Sequence, residues 1–130
     1  MSNVLKFAAL GLGSAPGPRL QDRGQVIAHD SSTTSLPVGA SSVSADGVAV
    51  QNYQRVLYTA LSDATMNNQV FRISGLGSAT GAAFEAEQLG NGTMPEVGDC
   101  ISVMEGSSNG NQVMAFAANQ WQSISLSLGA

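Results

Sequence analysis

Apolar and polar side chains alternate through the second half of the chain. In RVLYTAL, Val56, Tyr58 and Ala60 stand opposite Leu57, Thr59 and Leu61. In QVFRIS, Phe71 and Ile73 share one face, with Val70 and Arg72 on the other. WQSISLSLGA sets Ile124, Leu126 and Leu128 against Ser125 and Ser127. A period of two belongs to a strand, whose successive side chains point to opposite faces. CISVMEG and NQVMAFAA alternate on either side of SSNGN, which predicts a hairpin with a Gly- and Asn-rich tip. AFEAEQL has the propensity for a helical turn. Read as a strand, it puts Glu85 and Glu87 on one solvent face, and that is the reading taken here.

The first part of the chain is broken everywhere. Pro16, Gly17 and Pro18 stop any helix begun by VLKFAAL, because proline lacks an N–H and clashes with the preceding turn. Gly24, Pro37, Gly39 and Gly47 separate the short apolar groups QVIA, SLPV and GVAV. The pentapeptide GLGSA occurs at Gly11 and again at Gly75, both read as glycine-rich turns. The whole pattern predicts an all-β chain in three stretches. Residues 1–24 form an extended anchoring arm, residues 25–53 a stalk or strand-exchange segment, and residues 54–130 a small antiparallel β-domain, sandwich- or barrel-like.

Composition adds a reason to expect association. Of 130 residues, 43% are hydrophobic but only 5% aromatic, and much of the apolar share is alanine. A core built from small side chains supports little stability, so copies of the same chain are expected to complete it. Charged residues are 11% and the net charge is −4. Lys6, Arg19, Arg23, Arg55 and Arg72 are scattered, whereas phosphate neutralisation needs clustered cations, so no nucleic-acid partner is expected. No apolar run approaches the roughly 20 residues of a membrane-spanning helix, and the apolar start is too short and too interrupted for a secretory leader.

Several residues invite a chemical reading. His29 is the only histidine, which excludes a two-His zinc site within one chain. It sits beside Asp30, but neighbours on a strand point to opposite faces, so neither orients the other as a catalytic triad requires. Gly106-Ser107-Ser108-Asn109-Gly110 matches G-x-S-x-G, but that elbow needs a strand turning into a helix. Here a returning strand follows, and a hairpin tip is the simpler reading. A hydrolase using Ser108 with His29 is kept only as a remote alternative. GLGSAPG and GLGSATG lack the βαβ context of a phosphate loop, and the acidic residues lack EF-hand spacing. No cofactor or metal is expected. Cys100 reads as a small buried hydrophobe. Trp121, Tyr53 and Tyr58 are the aromatic platforms available to a second alternative, a free carbohydrate-binding module.

Two stretches resemble modules of bacteriophage fibres. GQVIAHDSSTTSLPVGASSVSADGVAV is similar to a short repeat in which a hydrophobic pair, a polar turn and an L-P-V-G step precede another extended segment. Val26, Ile27, His29, Asp30, Leu36, Pro37, Val38 and Gly39 carry that likeness. The second stretch runs from RVLYTALSDATMNNQVFRISG through FEAEQL to EVGDCISVMEGSSNGNQVMAFAANQW. It resembles a fibre β-module with an R-V-L strand, an acidic–Asn turn, an aromatic strand and a G-D…V-x-E-G step leading to a hairpin and Trp. Where such modules carry N-G before the aromatic strand, this chain has Asn67-Asn68-Gln69.

The resemblance implies a homotrimeric virion component that is not an enzyme: a small fibre, spike or decoration protein on the particle surface. In that role Val4, Leu5, Phe7, Leu10 and Leu12 anchor the chain to other virion proteins of the capsid, tail or baseplate. Val26, Ile27, His29, Leu36, Pro37 and Val38 lie between copies in the stalk. Ser107, Ser108, Asn109 and Asn111 offer a recognition surface, with a host-surface glycan as candidate ligand. A membrane partner is not expected.

Overall fold

The computed structural model describes residues 20–124, and the regular structure among them is entirely strand. The strands are β1 (Gln21–Val26), β2 (Ala28–Asp30), β3 (Ser44–Ala45), β4 (Val48–Ala49), β5 (Arg55–Tyr58), β6 (Gln69–Ser74), β7 (Ala83–Ala86), β8 (Asp99–Val103), β9 (Gln112–Ala117) and β10 (Gln120–Ile124). They form one four-stranded sheet in the order β1-β8-β9-β10, a second in the order β2-β5-β6-β7, and the small hairpin β3-β4.

One extended run, β1 followed directly by β2, serves both sheets. β1 pairs with β8 and β2 with β5, each time in parallel. The crossing occurs at Ile27, whose N–H donates to Arg55 O (2.8 Å) and whose carbonyl accepts from Glu105 N (2.9 Å). Register shifts in β1 between Asp22 and Gln25, where Gly24 takes a φ of +93°. Arg55 grips this bulge, donating from Nη1 to Gln25 O (2.8 Å) and from Nη2 to Arg23 O (3.0 Å). A bulge at a sheet edge also discourages pairing with foreign strands.

Two hydrophobic clusters follow from the alternation. Leu57 and Val70 point from the second sheet toward Ile101, Val103, Met114, Phe116 and Trp121 of the first, with Val26 and Leu89 closing the layer. Phe116 and Trp121 meet edge to face with centroids 5.5 Å apart. On the opposite face of the second sheet, Val56, Tyr58, Phe71 and Ile73 pack with Ala28, Val43, Ala45, Val50, Leu61 and Ala82. The second sheet is therefore covered on both faces.

These facts correct parts of the expected organisation. The sheets are mixed rather than purely antiparallel, and neither closes into a barrel. Residues 25–53 do not stand apart from the β-domain, since they supply the end of β1, all of β2 and several members of a core of the same chain. The physical reason is that edge positions on β8 and β5 accept them in parallel. The strand expected within residues 80–90 is present as β7, with Glu85 outward. The hairpin expected around the SSNGN tip is β8–β9, in the register Ile101↔Met114. Asn68 takes a φ of +68° before the aromatic strand β6, doing what Gly does elsewhere. The anchoring residues Val4, Leu5, Phe7, Leu10 and Leu12 lie outside the described residues, as do Leu126 and Leu128.

Candidate functional site

The recognition candidates Ser107, Ser108 and Asn109 lie where two hairpin tips meet, next to His29. β3 and β4 are joined by Asp46-Gly47, both with positive φ (48° and 78°), the geometry of a two-residue primed turn. The Asp46 carboxylate then accepts from the backbone of the β8–β9 tip: Asn109 N at 2.7 Å and Ser108 N at 3.1 Å. Ser107 donates to Asp46 O from both its N–H (2.9 Å) and its Oγ (3.1 Å). Asn109 Nδ2 reaches on to His29 O and Ser31 Oγ, each at 3.0 Å. An Asp-Gly pair between short apolar groups is a strong hairpin signal, and it went unread in the sequence because the surrounding strands are only two residues long.

This arrangement changes what the recognition candidates do. Asn109 is occupied in holding the tip to β2, and Ser107 in holding it to β3–β4. Ser108 and Asn111 remain exposed. His29 Nε2 faces Thr59 Oγ1 at 2.7 Å, and no hydrogen bond joins His29 to Ser108 among the described residues. Asp30 is buried and accepts from Ser32 N, Thr33 N and Thr33 Oγ1 at 2.9, 2.7 and 2.7 Å, so it shapes the loop after β2. His29 and Asp30 thus serve opposite faces, as the alternation predicts.

Burial sets the proton chemistry here. Loss of solvent holds His29 below its usual 6.5, outweighing the pull of Asp46 and Asp30. Among the described residues, its Nδ1 and the hydroxyl of Tyr58 are buried without a partner. The Tyr58 hydroxyl is pushed upward, by burial first and by Asp30 second. Burial likewise raises the Cys100 thiol to about 11, and its Sγ lies 3.4 Å from Gln21 O. A thiol so rarely ionised is a poor nucleophile. Among the described residues no group of His, Cys, Asp and Glu is arranged to hold a metal ion.

The stalk candidates divide by exposure. Val26 and His29 are buried within the chain, and Ile27 and Leu36 pack against the second sheet. Val38 is 71% exposed. It borders a cavity of about 400 Å³ whose apolar wall is Leu36, Leu61 and Met66. Of the aromatic candidates, Trp121 and Tyr58 are interior, Trp121 Nε1 donating to Asn68 O at 2.8 Å. Tyr53 alone of the three faces solvent. The three described arginines all sit on carboxylates: Arg23 on Asp99 (2.7 Å), Arg55 on Glu87 (2.9 Å) and Arg72 on Glu85 (3.1 Å).

No protein-family model, curated protein or solved structure matches this chain.

Proposed function

We propose that the protein is a structural component of a bacteriophage particle, a homotrimeric fibre, spike or decoration module displayed on the surface. It has no catalytic role in this reading. The likeness of its two sequence stretches to phage-fibre modules supports the reading. The structural observation that carries it is the L-P-V-G segment, where Val38 stands exposed at a cavity with Leu36, Leu61 and Met66 on its apolar side and Thr34, Ser35, Ser62 and Asp63 on its polar side. A projecting apolar side chain at the rim of a recess gives each copy a patch that contact with other copies would cover.

Attachment falls to the segment before β1. The apolar side chains of Val4, Leu5, Phe7, Leu10 and Leu12 are the proposed contact with other virion proteins. The test is removal of residues 1–19, a cut that spares β1. The shortened chain is expected to fold and remain in solution while failing to enter particles. Undiminished incorporation rejects the anchor. Within this function, particles lacking the protein burst more readily on heating if it is a cement, and adsorb poorly to hosts if it binds a receptor.

A further inference from the structure

The turn between β4 and β5 holds a side chain that the fold does not use. Gln54 N donates to Gln51 O (3.2 Å), and Tyr53, the third residue of this turn, has a φ of +73°. That position favours glycine or asparagine, because a Cβ there crowds the backbone. A bulky residue in this region is an outlier and persists only where surrounding contacts fix it. Burial of the ring gives no compensation, since Tyr53 is 71% exposed.

The turn is nevertheless firmly held. Tyr53 N donates to Ile73 O, and Ile73 N to Gln54 O (3.0 Å). Leu76 N donates to Asn52 Oδ1 (2.8 Å) and Asn52 Nδ2 returns a bond to Leu76 O (3.2 Å). Gln54 Oε1 accepts from Gln51 N at 2.8 Å. The backbone that carries the ring is thereby fixed before any ligand arrives, which removes part of the ordering cost of binding.

Beside the ring lies a cleft of about 240 Å³, lined by Gln25, Ile27, Gln54, Arg55 and Met104. Ile27 and Met104 supply apolar surface, and Gln25 and Gln54 supply amides. Arg55 adds no free charge. Its Nη atoms are taken by Gln25 O and Arg23 O, and Glu87 Oε1 lies 2.9 Å from its Nε. An anionic ligand finds no counter-ion here.

We infer that this cleft is a binding subsite for a neutral sugar ring, with Tyr53 stacking on its C–H face and Gln25 and Gln54 pairing with its hydroxyls. A flat aromatic face with a few polar groups beside it is the chemistry of such a ligand. The inference deepens the surface-display reading above by naming the ligand class of its host contact.

The test is an NMR titration of the ¹⁵N-labelled full chain with glucose, galactose, mannose, rhamnose and N-acetylglucosamine. Each is added to about 50 mM, enough to detect millimolar affinity. At least one sugar is expected to shift the resonances of Gln25, Tyr53 and Gln54. Tyr53→Asn should weaken that binding about tenfold, the size of a stacking contribution, while melting no lower than the parent. Tyr53→Phe should retain it. The inference is overturned if no sugar moves these resonances, if the shifts map elsewhere, or if Tyr53→Asn binds like the parent. It is also overturned if Tyr53→Asn instead changes the mass in solution, which assigns the ring to a protein contact. A chain that enters particles but binds no sugar ends this inference alone, and one that binds sugar but enters no particle ends only the virion reading.

Discussion

At the scale of single residues, His29 is one of the few polar side chains buried among the described residues. His29 gives a pH dependence whose sign is fixed. Its folded value lies below the 6.5 of the unfolded chain, so below that pH the unfolded state binds more protons. The stability His29 contributes is intact above 6.5 and is lost as pH falls from there toward the folded value. Urea midpoints at pH 7.5 and 5 should therefore differ more for the parent than for His29→Gln. Gly81 makes a second case. A Cβ there would collide with the carbonyl oxygen and carbon of Gly39, on a backbone already at φ +75°. Gly81→Ala should cost at least about 2 kcal/mol, through combined overpacking and strain, read as a fall in the denaturation midpoint. The Gly81 contact lies against the L-P-V-G step itself, as Gly39 N donates to Ala82 O and Ala82 N to Ala40 O, each at 2.8 Å. None of this could be read from the letters, since the position of Gly39 beside Gly81 is set by tertiary pairing.

At the scale of elements, alternation located the strands of the second half well. RVLY, QVFRIS and the β8–β9 hairpin fall where period two puts them. The first half was harder for a physical reason. β2, β3 and β4 have three, two and two residues, too few for a period to show. Parallel pairing of β1 with β8 and β2 with β5 joins residues far apart in sequence, leaving no local turn to announce it. The interlocked tips of β3–β4 and β8–β9 were likewise invisible, although Asp46 accepts from Ser107, Ser108 and Asn109 there. Asp46→Ala should cost about 0.5–1.5 kcal/mol by removing the acceptor of the Ser108 and Asn109 amides. Hydrogen exchange at those two amides should accelerate far more than exchange in β5 and β6. Equal acceleration everywhere would show that the tips are not a separate unit.

At the scale of the whole molecule, sparse aromatic content suggested a chain unable to order its leading third. The structure orders residues 20–53 on the chain's own sheets, so the case for association moves elsewhere. It now rests on the recess beside Val38 and on the likeness to fibre modules. Part of the candidate chemistry was legible through alternation. His29 and Asp30 face apart, and the G-x-S-x-G letters belong to a tip between antiparallel strands. Tyr53 could be named from sequence as one of several aromatic platforms. Its exposure and its left-handed backbone could not, because both depend on how Ile73 and Leu76 hold the turn.

Sedimentation equilibrium of the full chain at micromolar concentration tests the proposed assembly most directly, with Val38→Asp as the paired variant. The expected mass is three times the 13.3 kDa of one chain, falling to a single chain in the variant while its strand content is unchanged. A parent chain that sediments as one copy throughout that range would contradict the trimeric particle component proposed here.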